Sequence, residues 1–151
     1  MLKFRKLRQS DLDQTDWEKA ALTALLPSSA YYADTIAAGD LLLVIFDTEN
    51  PQQPLGLLEM AAEPTATKPP CAVVRRVLIL PELRRHGLGR MLMALAAGEA
   101  VERKLWFITG DVPETDEAAA FAKAIHLLPD SRFDGMTVLD LSDVEGLRYG
   151  K

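Results

Sequence analysis

The sequence predicts an α/β fold built on a mixed, mostly antiparallel central sheet. Short runs of aliphatic residues alternate with segments of helical periodicity, and proline, glycine and polar turn residues separate them. Two neighbouring strand-like runs in the front half are joined by a turn, whereas the back half has a strand, a helix and a strand in succession. The length of 151 residues suits one domain that spans residues 1–151.

The first third of the chain is predicted to form a strand and two helices. Residues 3–7 alternate charged and apolar side chains, which is typical of a short strand. Asp11 can cap a helix that extends to about residue 26, where Pro27 follows. A second helix, over residues 28–38, begins at a serine pair and ends before Gly39.

After the first strand and two helices, the sequence predicts three strands, a helix, a strand, a helix and one or two final strands. Turn residues at 47–54 join the second strand to the third as a hairpin. Pro81 closes the fourth strand before a glycine-containing loop and a long helix. The predicted later strands are residues 41–46, 55–61, 72–80, 105–109 and 136–141, and the later helices are residues 88–103 and 114–127.

Composition and charge exclude several classes of protein. A net charge of −5 and 7% aromatic residues give no basic, aromatic-rich face for nucleic acid. The longest apolar run, residues 41–46, is far too short to cross a membrane. His86 and His126 are too few for a metal centre without a Cys/His cluster, so no metal is expected. The single cysteine, Cys71, cannot form an internal disulfide, and we expect it to be structural in a cytoplasmic protein.

One segment, residues 77–95, carries recognisable chemistry. A strand leads into a loop that contains Gly87 and Gly89, and a helix begins at once. Glycine lets the backbone turn so that successive N–H groups point the same way, and the first N–H groups of a helix have no intrahelical partner. Together with the helix dipole they form an anion site suited to a diphosphate. Basic side chains surround this site: Arg84, Arg85, His86 and Arg90.

Two familiar phosphate-binding loops do not fit this segment. The P-loop requires lysine and then serine or threonine after its second glycine, and here Arg90 and Met91 follow Gly89. The dinucleotide fingerprint requires a third glycine at the position of Leu92. Both interpretations therefore fail on residue identity.

The segment resembles the acyl-CoA signature Arg/Gln-x-x-Gly-x-Gly/Ala of the GNAT N-acyltransferase superfamily, matched here by Arg84, Gly87 and Gly89. The element order from residue 3 to residue 141 is also similar to that family's fold. The resemblance implies a sheet in which the fourth and fifth strands splay apart, acetyl-CoA as cofactor, and direct transfer of the acetyl group to an amine in a ternary complex. It further implies a small-molecule or peptide amine as acceptor, and it allows a homodimer, which is common in the family.

The resemblance also assigns a cofactor site residue by residue. Backbone N–H groups of residues 85–90 would hold the diphosphate, and the main chain of Val77 and Ile79 would pair with the pantetheine amides. The N–H of Ile79 would also polarise the thioester carbonyl, which makes it a catalytic group. The implied cofactor-binding residues are Val77, Leu78, Ile79, Arg84, Arg85, His86, Gly87, Leu88, Gly89 and Arg90.

The sequence departs from the family pattern at the proton donor for the departing thiolate. Many relatives use a tyrosine within Asn-x-x-Ala-x-x-x-Tyr, and the corresponding stretch here begins at Thr115 and ends at Ala122. Tyr31, in the second predicted helix, is the candidate catalytic substitute, and Tyr32 lies beside it. Other proton donors by residue type are Tyr149 and His126.

Glu59, on the third predicted strand, is the candidate general base, because a carboxylate at such a position can take the ammonium proton directly or through water. Glu63 and Asp111 are the alternatives. Arg75 and Arg76 are adjacent on a central strand, so their side chains point to opposite faces. Pairing with Glu59 or Glu63 is the expected role of one of them, and contact with an anionic substrate group is the alternative.

The missing tyrosine leaves a second function open, that of an acyl-CoA-binding sensor or regulatory module without turnover. Release of thiol from acetyl-CoA in the presence of amines distinguishes the two functions. Acceptor specificity in such folds lies in the first two helices and the hairpin loops, and these segments carry no recognisable motif here.

Overall fold

The computed structural model describes residues 1–8, 34, 39–63, 71–83, 86–110, 115–125, 127–129 and 137–141. These residues form strands, two α-helices and a 3₁₀ turn over Pro81–Leu83. The strands are β1 (Leu2–Lys6), β2 (Leu41–Asp47), β3 (Gly56–Glu63), β4 (Cys71–Ile79), β5 (Phe107–Gly110), β6 (Leu128–Pro129) and β7 (Thr137–Asp140), and the helices are α1 (Leu88–Glu102) and α2 (Asp116–Ala124).

The seven strands form one sheet in the order β1-β2-β3-β4-β5-β7-β6. Every neighbouring pair is antiparallel except β4 and β5, which are parallel because the chain crosses over between them through α1. The predicted α/β fold with a mixed, mostly antiparallel sheet is confirmed. The predicted hairpin is confirmed as well, since β2 and β3 pair antiparallel.

The parallel contact between β4 and β5 is short. Residues 71–73 pair with residues 107–109, and within the described residues the pairing ends at Val73 and Thr109. β4 continues to Ile79, whereas β5 ends at Gly110. The sheet therefore opens between these two strands, as predicted, and the second half of β4 forms one wall of the opening.

The main apolar core lies between one face of the sheet and α1. Leu92, Met93 and Ala96 on the helix are fully buried and pack with sheet residues such as Leu58 and Ile108. The buried positions recur every three or four residues, which is the spacing of one helix face. α1 has fifteen residues, and no helix in the part of the chain that the structure describes is long and apolar enough to cross a membrane.

A β-bulge interrupts the pairing of β3 with β4. Glu59 lies opposite Arg76, and the next residue, Met60, lies opposite Val74, so Arg75 is the extra residue. Arg75 is exposed, whereas Arg76 is partly buried and its Nε lies 3.2 Å from Oε2 of Glu59. The predicted pairing of one of these arginines with Glu59 is confirmed.

Most predicted elements agree with the structure to within two residues, but one helix is shorter than predicted. The helix expected over residues 114–127 ends at Ala124, because the N–H of Leu127 turns back to the carbonyl of Ala122 and Leu128 enters a strand beside β7. The two helices predicted over residues 11–26 and 28–38 lie outside the described residues, apart from Asp34, which is helical and exposed.

Glu99 links α1 to the N-terminal part of the sheet. Its Oε1 lies 2.7 Å from Nζ of Lys6 and 3.5 Å from Nη2 of Arg103, and Nη1 of Arg103 donates to the carbonyl of Gly39. The hydrogen bond from Lys6 chiefly holds the pKa of Glu99 below its ordinary value of 4.5; burial opposes this, and the charges of Lys6 and Arg103 reinforce it.

We expect Glu99→Gln to remove a stabilisation that depends on pH. Because the pKa of Glu99 is lower in the folded than in the unfolded chain, its contribution is present above about pH 4.5 and is lost as the pH falls through the folded value. Urea denaturation should show a loss of up to about 1 kcal/mol at pH 7 and none in strong acid. The exposed Glu102 on the same helix provides the control Glu102→Gln. An equal loss at both pH values would contradict the assignment.

Candidate functional site

The turn from β4 into α1 is built around Gly87. The chain leaves β4 at Ile79, passes through the 3₁₀ turn and enters α1 at Leu88. Gly87 is the N-cap residue, with φ 75° and ψ 12°, in the left-handed region that glycine adopts without steric cost. It offers no side chain to cap the helix, so the first N–H groups of α1 face the space before the helix. This arrangement favours a bound anion.

Gly89 brings α1 close to α2. A Cβ at this position would lie 3.3 Å from Cε2 of Phe121 and 3.5 Å from both Ile125 and Ile79. These distances leave little room for a side chain between the two helices and the end of β4. By contrast, no described atom lies within 4 Å of the place where a Cβ of Gly87 would stand. Gly89 is therefore needed for packing, and Gly87 for backbone conformation.

A cavity of about 760 Å³ lies where these elements meet. Its wall is mostly apolar, and among the described residues Arg90 and Glu117 contribute charge to it and Thr115 contributes a hydroxyl group. Such a volume is in the range of sites for cofactors and other small molecules. The lining residues are Val77, Leu78, Ile79, Leu83, Gly87, Leu88, Gly89, Arg90, Thr115, Glu117, Ala118, Phe121, Ala124 and Ile125.

The backbone of β4 faces the opening in the sheet at Ile79. The N–H of Leu80 donates to the carbonyl of Leu55, on the β3 side, at 3.1 Å. Because successive N–H groups of an extended chain point to opposite edges, the N–H of Ile79 points toward the edge from which β5 has separated. A ligand in the cavity that extends along β4 meets this edge.

The structure brings together seven of the ten predicted cofactor-binding residues. Arg84 and Arg85 lie outside the described residues, and His86 is exposed and is not among the residues that line the cavity. The seven that line it are Val77, Leu78, Ile79, Gly87, Leu88, Gly89 and Arg90.

Glu59, the candidate base, is completely buried, at 0% exposure. It is not among the residues that line the cavity, and it faces Arg76, whose side chain is 35% exposed. Nε of Arg76 lies 3.2 Å from Oε2 of Glu59, so the two side chains form an ion pair. Arg76 belongs to the half of β4 that borders the opening, and Glu59 lies opposite it on β3.

The other predicted proton-transfer residues are not placed at the cavity by the structure. Tyr31, Tyr32, Asp111, His126 and Tyr149 lie outside the described residues, and Glu63 is the last residue of β3. Ala122, at the position of the family's tyrosine, is partly buried and packs against the apolar core.

Sequence reasoning missed the wall that α2 contributes to the cavity. Thr115 caps this helix, accepting a hydrogen bond from the N–H of Ala118 at 3.0 Å. Ala118, Phe121 and Ile125 follow at helical spacing and line the cavity. The signal was present, because a threonine before an acidic first turn is a helix start and fixes which residues share a face.

A sheet that opens beside a helix with an uncapped, glycine-started N-terminus is the architecture of an N-acyltransferase fold. The sequence model of the Acetyltransferase (GNAT) family matches residues 7–126, which is most of the chain. The chain therefore belongs to the GNAT acetyltransferase family.

Several solved structures share this fold at low sequence identity. AtaTR bound with AcCoA is 17% identical, with a TM-score of 0.69, and the match covers 97% of each chain. The aminoglycoside acetyltransferase meta-AAC0020, from an uncultured soil metagenomic sample and in complex with sisomicin, is 16% identical with a TM-score of 0.66 and covers 82% of this chain and 86% of that one. A Trypanosoma brucei acetyltransferase is 21% identical, with a TM-score of 0.65 over 82% and 89%. No curated protein sequence matches the chain.

Proposed function

We propose that this protein transfers an acetyl group from acetyl-CoA to an amine. The observation that carries the proposal is the cavity between the end of β4, the glycine-started α1 and α2, in a member of the GNAT family. The solved structure of AtaTR contains AcCoA, and that of meta-AAC0020 contains an aminoglycoside, so proteins of this fold accommodate both reactants.

The residues of the cavity suit coenzyme A in two respects. The uncapped N–H groups at the start of α1, with Arg90 beside them, match the charge of a diphosphate. The apolar wall of Val77, Leu78 and Ile79 matches a pantetheine arm whose amides can pair with the strand. Arg84 and Arg85 would add charge at the diphosphate, as the sequence motif implies.

In the proposed reaction, the amine nitrogen forms a bond to the thioester carbon while the carbon–sulfur bond breaks and the thiolate leaves. Acetyl-CoA supplies the activated acyl group. The N–H of Ile79 would donate a hydrogen bond to the oxygen on which negative charge develops. The amine must also lose a proton, and the thiolate, which resembles a free cysteine with a pKa of about 8.5, gains one.

Glu59 and Tyr31 are the proposed groups for these proton transfers. The side chain of Glu59 has no exposed surface and lies against Arg76. The proton of the amine would therefore reach the carboxylate through a bridging water or after Arg76 moves aside. Tyr31 would protonate the thiolate. The proposed acceptor is a small-molecule or peptide amine, and the single buried cysteine suits a reducing compartment such as the cytoplasm.

Acetyl-CoA is expected to raise the midpoint of thermal unfolding by roughly 5 °C or more at a hundredfold excess over its Kd. NAD, which shares the adenosine diphosphate but lacks pantetheine, should raise it much less. The same protein should release thiol from acetyl-CoA when an amine from a panel of aminoglycosides, polyamines and peptide N-termini is added. No stabilisation by any coenzyme A ester would refute the proposal.

A coenzyme A-binding module without turnover is the second candidate function. It is favoured by one observation, that the described residues lining the cavity include no tyrosine, cysteine or histidine to donate a proton to the thiolate. The two functions differ in outcome, because a binding module is stabilised by acetyl-CoA but releases no thiol with any amine.

A further inference from the structure

The bulge between β3 and β4 places Arg75 and Arg76 on the same face of the sheet. Val74 and Val77 both pack with the core beneath α1, although residues three apart on a regular strand would point to opposite faces. The extra residue of the bulge accounts for this, because Arg75 and Arg76 together lie opposite Glu59. The prediction that the two arginines point to opposite faces is therefore wrong, and both lie on the face away from α1.

Glu59 belongs to this face as well. Its neighbours Leu58 and Met60 are part of the core beneath α1, so the side chain between them points the other way. The ion pair between Glu59 and Arg76 agrees with this placement. The described residues thus bring one acidic and two basic side chains to neighbouring positions of β3 and β4, on one face of the sheet.

The arginines are accessible from outside, whereas the glutamate is not. Arg75 is exposed and the side chain of Arg76 is 35% exposed, but that of Glu59 is 0% exposed. The whole chain carries a net charge of −5, so this concentration of positive charge is local. An anion that approaches this face meets the two arginines before it meets the buried carboxylate.

We propose that Arg75 and Arg76 bind a carboxylate group of the amine acceptor. The proposal rests on the proposed function, in which Glu59 takes up the proton of the amine. An amine close enough to Glu59 for that transfer brings a carboxylate on the adjoining carbon within reach of the two arginines opposite. The acceptor class is therefore an α-amino acid or a similar small molecule whose carboxylate lies next to its amine.

The chemistry of the two arginines favours a carboxylate over other groups. A planar guanidinium can donate two parallel hydrogen bonds to a carboxylate, which fixes the orientation of the bound molecule as well as holding it. A phosphate group would match the same donors, but its second negative charge would stand beside the carboxylate of Glu59 and repel it more strongly. A polyamine or an aminoglycoside would bring further positive charge to the arginines.

The acceptor carboxylate would also uncover Glu59. It competes with Glu59 for Arg76, so an arginine that moves toward the acceptor loosens its ion pair and opens a path from the amine to the buried carboxylate. An acceptor without an anionic group leaves Arg76 against Glu59. Loss of the acceptor carboxylate should therefore lower kcat as well as raise KM.

Initial rates with matched acceptors test the proposal, each pair being an α-amino acid and its α-amide. The amide has the less basic amine, so a preference for the acid does not come from amine reactivity. The native protein should show a kcat/KM at least about tenfold higher for the acid, and Arg75→Met should remove most of that ratio. Arg75 is the residue to replace, because Arg76 also holds Glu59 and its loss disturbs the fold.

A binding measurement gives the same answer without turnover. Calorimetric titration of each pair into protein saturated with coenzyme A should show the acid bound at least about tenfold more tightly than the amide. Lys3→Met is the matched control, since Lys3 is exposed on β1, three strands from β4, and its replacement removes the same charge. It should keep the native preference in both assays.

The outcomes separate this inference from the proposed function. If amides react and bind as well as acids, or if no amino acid binds, the carboxylate site is overturned, whereas acetyl transfer to another amine still stands. An equal loss of preference in Arg75→Met and Lys3→Met overturns it too, because overall charge then explains the effect. Absence of any stabilisation by coenzyme A esters instead refutes the proposed function itself.

Discussion

Arg76→Met is expected to lower the free energy of unfolding by about 3–5 kcal/mol. Glu59 is fully buried and lies 3.2 Å from the guanidinium of Arg76, so the substitution removes this positive charge from beside a buried carboxylate. A loss of this size is a large part of the 5–15 kcal/mol that stabilises a typical domain. Urea denaturation at pH 7 measures it.

Arg75→Met is the control for this prediction. Arg75 is adjacent in sequence but exposed at the bulge, so its replacement should cost less than about 1 kcal/mol. The double variant Glu59→Leu with Arg76→Met should recover much of the loss, because an apolar pair has no charge to desolvate. If Arg76→Met lowers the stability no more than Arg75→Met does, the ion pair does not stabilise the fold.

Gly89→Val should weaken acetyl-CoA binding by at least about a hundredfold, or nearly 3 kcal/mol. Even a Cβ would lie 3.3 Å from the ring of Phe121, so the larger valine forces α1 away from α2 and from Ile79. The helix start that faces the cavity then shifts relative to the strand that forms its other wall. Isothermal titration of acetyl-CoA measures the change in Kd.

Phe121→Ala in the Gly89→Val background should restore part of the affinity, because it opens the space that valine needs. Gly87→Ala serves as a second comparison, because it tests the backbone conformation at the start of α1 without a packing clash. It meets no described atom but places alanine at φ 75°, which costs roughly 1 kcal/mol of stability or more. Native affinity in Gly89→Val would show that the coenzyme lies elsewhere.

The sheet and the cofactor loop were predictable because their determinants are local. Aliphatic runs between turn residues placed β2, β3 and β4, and the glycine pair at 87 and 89 marked a strand-to-helix turn with unpaired N–H groups. The separation of β4 from β5 was predictable only from the resemblance to a family, and not from the sequence pattern. Periodicity does not reveal where two parallel strands stop pairing.

Features that depend on contacts distant in sequence escaped prediction. The bulge that turns Arg76 toward Glu59 and leaves Arg75 exposed arises from the register between two strands, which the pattern of either strand alone does not contain. The C-terminus of α2 was misplaced because Ile125 and Leu127 continue the apolar spacing after the backbone has left the helix. The burial of Glu59 was equally invisible, since a glutamate in a strand is usually solvated.

Because the contact between β4 and β5 is short, we expect the free energy of unfolding of this protein to depend on whether a ligand occupies the opening between them. Among the described residues, three pairs of that parallel ladder join β4 to β5. A molecule that lies along the side of β4 that faces the opening and also contacts α2 would link these two parts of the fold. By mass action, an excess of a hundredfold over Kd adds about 2.7 kcal/mol to the free energy of unfolding. The protein's resistance to unfolding would then vary with the coenzyme supply around it.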